Sequence, residues 1–378
     1  NQDFNKSLFF DILLVGDFMN KIIYDVLDKI EQAGFNAYIV GGFVRDLVMN
    51  VNSYDVDICT NALPKDVKEI FNINKESNLY GSINFNINNY NFDITTFRKE
   101  KNYKKRRPTE VEFIKDLKED LKRRDFTMNS LCLDKNSNLI DYLDGKSDIL
   151  NKKIKLIGDN IRLKEDPLRI LRAIRFSTIY DFEIDDSLND GIVMYKEYIK
   201  ELSLERIKSE LDKILINKNF LKGLNLLKKY GILKIIGIEY SNNIKYVPDL
   251  CGMYAQIKLD IEYPFTKEEK KNIKLIKKIT TGNVIDNKIL YKYGLYISSV
   301  AGKILNYKND EIVSMYDKLS IYSSKDLDID FKEIQNTSGF KEYKDVKILQ
   351  ELIISEILDN KLVNKKDKII KYIRQGMN

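Results

Sequence analysis

The 378-residue chain carries 63 Lys and Arg against 57 Asp and Glu, a formal charge of +6, with 43% hydrophobic residues. That describes a globular protein of roughly two to four domains; having no histidine at all, it excludes His general bases, Ser-His-Asp triads, His-liganded zinc and HD-type phosphohydrolase sites. No apolar run reaches the ~18 residues of a membrane span, residues 8–15 lack the flanks of a signal peptide, and three scattered cysteines (Cys59, Cys132, Cys251) fit a reducing, cytoplasmic setting.

Residues 1–18 show no clear pattern and read as an N-terminal extension. Apolar residues Ile22, Ile23, Val26, Leu27 and Ile30 recur at helical spacing and predict a helix over 21–32. Ala37 to Val40 predicts a short buried strand. Gly41 and Gly42 follow at once and open a helical segment, Phe43 to Met49. After a polar turn, Tyr54-Asp55-Val56-Asp57-Ile58 predicts a second strand with Asp55 and Asp57 on one face. Adjacent carboxylates repel each other unless a cation lies between them, and hard oxygen donors suit Mg²⁺. Glycines directly after a strand leave backbone N–H groups open to phosphate. Asp-x-Asp and Gly-Gly are each common turn signals. In this order they predict a phosphate cradle beside a metal-binding pair.

Pro64 suits the first turn of a further helix, with Val67, Ile70 and Phe71 facing inward. Residues 83–97 alternate and predict a hairpin turning at Asn88-Asn89, with Asp93 as a third carboxylate near the first two. Residues 98–110 (RKEKNYKKRRPTE) lack apolar periodicity and read as a basic surface loop. Arg123, Arg124, Asp125 and Asn129 stand beside an apolar run, and Asp144-Gly145 marks a turn. From about residue 160 the pattern is helical almost throughout. On residue chemistry alone, Asp166-Pro167 is an ordinary cap and first turn, and Glu165 to Arg169 an ordinary i,i+4 ion pair. Ser203 opens another helix, and two amphipathic helices, 345–362 and 365–374, end the chain.

Together these motifs resemble the class II tRNA nucleotidyltransferases, the bacterial CCA-adding enzymes of the polymerase-β-type superfamily, over nearly the whole chain from Met19. Gly41-Gly42-x-Val44-Arg45-Asp46 with Asp55-x-Asp57 matches the first motif, and Arg123-Arg124-Asp125-Phe126-Thr127-x-Asn129 the second. Asp144-Gly145-x-x-Asp148 resembles the third. Glu165-Asp166-x-x-Arg169 with Leu171-Arg172-Ala173-x-Arg175-Phe176 matches the fourth, and Glu205-Arg206 with Glu210-Leu211 the fifth. The resemblance implies a fold: an α/β (α+β) head with a mixed sheet, followed by an all-helical neck, body and tail. Its expected boundaries are 19–150 for the head, 151–220 for the neck, 221–310 for the body and 311–378 for the tail.

It also implies roles. Asp55 and Asp57 would hold two Mg²⁺ ions, with Asp93 as the third catalytic carboxylate. Gly41, Gly42 and Arg45 would contact the triphosphate. The second motif, with Arg123 and Arg124, would hold ribose and triphosphate, Asp125 and Asn129 reading the ribose. Asp166 and Arg169 would read the Watson–Crick edge of CTP or ATP, and Arg172 and Arg175 join the nucleotide-binding set. Arg98, Tyr103, Arg106 and Arg107 would belong to a flexible loop, and the helical part would hold the tRNA acceptor arm and elbow through phosphates; no protein partner is implied. Two departures stand out: Tyr80-Gly81-Ser82 replaces the family's His-Gly-Thr, and the loop is one residue short, with Lys104-Lys105 in place of its acidic residue. The expected activity is addition of CCA to tRNA 3′ ends without a nucleic-acid template. The motifs leave open an A-adding enzyme, a poly(A) polymerase and, from another class, an RNA-binding protein with an inactive head. Antibiotic nucleotidylation shares the Gly-Gly and Asp-x-Asp logic but does not explain Glu165–Arg169 or the long helical tail.

Overall fold

The structure, a computed structural model, describes residues 21–73, 81–104, 107–282 and 284–376. The predicted extension 1–18, Tyr80 and Arg106 lie outside the described residues. The chain divides into two compact units, one running to Ile236 and the other from Gly237.

The first unit is built on a mixed sheet. Helix α1 (Lys21–Gln32) precedes β1 (Ala37–Val40), α2 (Gly42–Val48), β2 (Asp55–Thr60) and α3 (Pro64–Phe71). Then come β3 (Ser82–Ile87), β4 (Tyr90–Thr96), β5 (Arg98–Lys104), β6 (Arg107–Phe113) and α4 (Leu117–Lys122). A 3₁₀ turn at Thr127–Asn129 leads into β7 (Cys132–Leu133) and β8 (Leu139–Ile140). The six-stranded sheet has the order β3-β4-β2-β1-β7-β8. Only β2 and β4 within it run parallel, pairing Asp57 with Asp93 and Asp55 with Asn91. Since side chains alternate faces, this register puts all three aspartates on one side of the sheet. Val56, Ile58, Phe92 and Ile94 are buried on the other.

Residues 98–110 correct the sequence expectation. Over their described residues they are not an irregular loop: β5 and β6 form a separate antiparallel ribbon that pairs Arg98 with Phe113 and Lys101 with Glu110. Backbone bonding carries the ladder, and cross-strand charge supports it, as Lys101 Nζ lies 3.2 Å from Glu112 Oε2. No apolar alternation was available to announce it. Tyr103 and Arg107 lie within the ladder.

Next come α5 (Gly145–Leu150), β9 (Lys153–Ile154), α6 (Ile161–Glu165), α7 (Leu168–Tyr180) and β10 (Glu183–Ile184), which pairs with β9. Helices α8 (Asp186–Tyr195), α9 (Leu204–Leu215), α10 (Phe220–Lys229) and α11 (Ile232–Ile235) complete the unit. Helix α7 is buried over most of its circumference, packing on both α9 and α10. A helix apolar on one side and arginine-rich on the other can be buried all round only if its arginines find acceptors.

The second unit is mostly helical. It holds a small β11 (Ile238–Tyr240) and β12 (Ile257–Leu259) ribbon flanking α12 (Leu250–Ala255). Helices α13 (Lys267–Gly282), α14 (Asn287–Ile304), α15 (Asn309–Asp317), α16 (Phe331–Ser338), α17 (Tyr343–Leu358) and α18 (Lys366–Gln375) follow. Asp286 and Asp330 cap α14 and α16 through their side chains. Gly294 interrupts α14 with φ 75°. Among the described residues no helix is long and apolar enough to cross a membrane.

Candidate active site

The site begins where β1 ends. Gly41 has φ 78°, and a Cβ there would stand 3.1 Å from Asp57 Oδ2 and 3.4 Å from an Arg124 guanidinium nitrogen. Glycine therefore serves two needs, a left-handed turn and space for a carboxylate and a guanidinium that converge on its α-carbon. Helix α2 follows and carries Arg45 inward. Its NH1 donates to Asn129 Oδ1 at 2.6 Å, and its Nε and NH2 donate to Asp46 Oδ1 at 2.9 and 2.7 Å. The guanidinium also lies over Phe176 and Tyr180 of α7, 5.3 and 4.6 Å from the ring centroids. Tyr180 donates its hydroxyl to the same Asp46 oxygen at 3.1 Å, and burial beside Asp46 pushes its pKa up to about 12.

Asp125 is fixed by a second set of contacts. Arg172 donates to Asp125 Oδ2 from Nε at 2.7 Å and NH2 at 2.5 Å, and Asn129 Nδ2 donates to Oδ1 at 3.0 Å. Burial alone would raise this carboxyl; Arg172, Asn129 and the Phe126 N–H together hold it well below the usual carboxylate range. Next to Arg172, Arg175 NH1 lies 3.1 Å from Glu210 Oε2 of α9, a pair almost wholly withdrawn from water.

These groups surround a cavity of about 370 Å³. Of the residues predicted from sequence, Gly41, Gly42, Arg45, Asp57, Arg124, Asp125, Asn129, Arg172 and Arg175 line it. Phe176 lines it too; in the sequence it figured only as the last residue of the fourth motif, with no site role given to it. Asp55, Asp93, Arg123, Asp166 and Arg169 are not among the lining residues. Arg169, buried on α7, donates through NH1 to the Arg162 carbonyl at 2.7 Å, and Asp166 Oδ1 accepts from the Leu168 N–H at 3.3 Å. Arg123 turns toward Asp120 at 2.8 Å and toward Glu100 of β5.

The carboxylates behave as a cation-demanding set. Asp57 is pushed up to about 6, first by burial and then by Asp93 and Asp55, against the pull of Arg124 and Arg45. Burial raises Asp93 as well, and its Oδ1 is buried without a hydrogen-bond partner. An orphaned carboxylate oxygen beside a repelled one fits a hard divalent cation. Asp55 is exposed, and its Oδ1 accepts from Asn91 Nδ2 at 2.9 Å. Among the described residues no three such donors yet converge on one point.

Comparison with known proteins agrees with this geometry. Residues 37–155 match the poly A polymerase head domain, and residues 181–240 match a probable RNA and SrmB-binding site of polymerase A. The CCA-adding enzyme of Staphylococcus haemolyticus is 32% identical over 93% of this chain and 97% of its own. That of Ligilactobacillus salivarius is 30% identical over 91% and 94%. The chain belongs to the CCA-adding enzyme family. As a class II CCA-adding enzyme it has solved structural neighbours along its length. The Bacillus stearothermophilus CCA-adding enzyme in complex with CTP superposes with a TM-score of 0.82 at 23% identity, covering 94% of this chain and 96% of that one. The Thermotoga maritima CCA-adding enzyme complexed with tRNA_CCA gives 0.70 at 18% identity, covering 95% and 97%. At these identities the two neighbours establish the shared fold: a nucleotidyltransferase head with a mixed sheet and a helical remainder.

Proposed function

We propose that this chain is a CTP/ATP:tRNA nucleotidyltransferase that adds CCA to tRNA 3′ ends without a nucleic-acid template. The observation that carries the reading is the convergence of Asp57, Arg124, Asp125, Asn129 and Arg172 on one cavity, in a chain related to CCA-adding enzymes over almost its full length. The tRNA 3′-hydroxyl loses its proton and bonds to the α-phosphorus of the incoming nucleotide; the bond to the β-phosphate oxygen breaks and pyrophosphate leaves. Asp55 and Asp57 would hold Mg²⁺, with Asp93 behind them. A metal held there would lower the cost of ionising the attacking hydroxyl and offset charge on the leaving pyrophosphate.

The protein's own residues bind and orient. Arg124 and the Gly41–Gly42 backbone meet the triphosphate, with Arg123 behind them. Arg45, already engaged by Asp46 and Asn129, adds positive charge and fixes Asn129 for the ribose. Asp125 joins Asn129 there while Arg172 holds it ionised. Arg175 supports this wall, and Asp166 and Arg169 on the first turn of α7 and before it read the base edge. The β5–β6 ribbon is the movable element beside the nucleotide, and lysines of the second unit hold tRNA phosphates. The division into head, neck, body and tail at 150, 220 and 310 belongs to this reading, as does a cytoplasmic location.

The test supplies tRNAs lacking CCA, CA or A, with each nucleotide. Extension of all three to a complete CCA end is expected. Incorporation onto the tRNA ending in CC alone would leave an A-adding enzyme, and long A tracts would make it a poly(A) polymerase. Replacing Asp55 and Asp57 together by Ala abolishes incorporation while tRNA affinity stays within a few-fold; an RNA-binding protein with an inactive head would show no incorporation to lose.

A further inference from the structure

One carboxylate of the first unit has no place in the scheme above. Asp120, on α4, is 0% exposed. Its Oδ1 accepts from the backbone N–H of Arg98, the first residue of the β5–β6 ribbon, at 3.0 Å, and from Arg123 Nε at 2.8 Å. Its Oδ2 has no hydrogen-bond partner and lies 3.6 Å from Arg124 NH2. Arg124 in turn projects past Gly41 toward Asp57. The ribbon root is tied to the same node a second time: Arg98 Nε donates to Glu100 Oε1 at 2.7 Å, and Arg123 NH1 lies 3.7 Å from that oxygen. A buried carboxylate is strongly disfavoured unless hydrogen bonds and opposite charge compensate it. Here the compensation comes from three parts of the site at once.

We propose that Asp120 is a positioning residue that joins the root of the β5–β6 ribbon to Arg123 and Arg124, so that the ribbon and the arginine beside Asp57 hold one arrangement. Its two oxygens divide the task. Oδ1 fixes the ribbon root and Arg123, and Oδ2 supplies the charge that draws Arg124 across toward the reacting end of the cavity. Its ties to substrate turnover rest on the nucleotidyltransferase reading; its tie to the ribbon does not.

The experiment uses the full chain with Asp120→Ala and Asp120→Asn, read by amide hydrogen exchange without substrate and by steady-state CMP and AMP incorporation. Asp120→Ala raises exchange in the peptide beginning at Arg98 about tenfold, the equivalent of one lost hydrogen bond, while peptides of β1, α7 and the second unit stay unchanged. Its kcat falls roughly tenfold to a hundredfold while the nucleotide KM rises less than about threefold, as expected when a group near the reacting atoms is misplaced. Asp120→Asn keeps an acceptor of the same shape, so the ribbon root stays protected while kcat remains reduced. Unchanged exchange at the ribbon root in Asp120→Ala overturns the coupling whatever reaction the enzyme performs. Exchange rising evenly through the first unit, with kcat falling only as the folded fraction falls, overturns it in favour of a purely structural carboxylate. Full recovery of kcat in Asp120→Asn overturns the role given to charge.

Discussion

The two units of the chain handle charge in opposite ways. Among the described residues, every buried charged side chain (Arg45, Asp120, Arg169, Arg175 and Glu210) belongs to the first unit, whereas the buried polar side chains of the second are Ser298 and Ser338. The ion pairs of the second unit, such as Lys258–Glu239 at 2.9 Å and Lys288–Asp359 at 2.9 Å, stand at its surface. Withdrawn charge is expensive and is kept only where geometry offsets it. The difference teaches that the first unit spends stability on holding charges still for a reaction, while the second rests on apolar burial and capped helices. Five single changes and one double change would break or sharpen that contrast.

The largest effect is expected at Asp57. Asp57→Asn lowers incorporation on the order of a thousandfold or more, yet without divalent metal at pH 7 it raises stability by about 1–3 kcal/mol. The sign follows from the raised carboxyl. The folded protein holds this proton more tightly than the unfolded chain, so Asp57's contribution is most favourable below the unfolded value near 4 and is lost as pH rises through about 6. The stabilisation in the variant should therefore shrink toward pH 4 in calorimetric scans, and Mg²⁺ should stabilise the parent more than the variant. Asp125 has the reverse sign: its depressed carboxyl adds stability above the unfolded value near 4 that is lost as pH falls. Asp125→Asn at pH 7 should destabilise.

Next in size is Glu210→Ala. It leaves Arg175 buried without its carboxylate and should cost about 3–5 kcal/mol in urea unfolding. The double change Arg175→Met with Glu210→Leu should recover most of that loss while leaving incorporation impaired. Gly145→Ala is smaller. A Cβ there would stand 2.2 Å from the Thr127 carbonyl oxygen, so the turn beneath Asn129 must shift, at a cost of about 1–3 kcal/mol in melting experiments. Smallest is Glu239→Gln in the second unit: its pairing with Lys258 is fully exposed and solvent-screened, so urea unfolding should be almost unchanged. A loss at Glu239 comparable to that at Glu210 would remove the contrast between the units.

Much of the first unit was legible where periodicity is strong. The strand, glycine pair and helix of 37–48 and the hairpin at Asn88-Asn89 stand where the pattern puts them. The β5–β6 ribbon was not legible, because charged residues occupy positions where apolar alternation would have marked a strand. Nor was the parallel pairing of β2 with β4, which depends on a crossover through α3 rather than on either strand alone. Asp55 and Asp57 stood out by their alternate spacing in a strand, whereas Asp125 stood out only through the resemblance to a known motif. The aromatic seat of Arg45 could not: Phe176 and Tyr180 are contributed by a helix remote in sequence, and nothing local announces the contact. Nothing local in EDLKRRD distinguishes Asp120 from Glu119; its burial and its bonds to Arg98 and Arg123 do.

The hydrogen bond from Tyr180 to Asp46 and the pairing of Arg172 with Asp125 span long stretches of chain. On a ribosome, the sheet bearing Asp55 and Asp57 emerges well before α7, and α9 with Glu210 emerges later still. Until then Arg45 lacks its aromatic seat, Asp125 lacks Arg172 and Arg175 lacks Glu210, and the nascent sheet carries charge that is only partly matched. Synthesis order thus delays a competent cavity until the helices that close it have left the exit tunnel. A half-made chain would hold the carboxylates for chemistry without the means to seat a nucleotide.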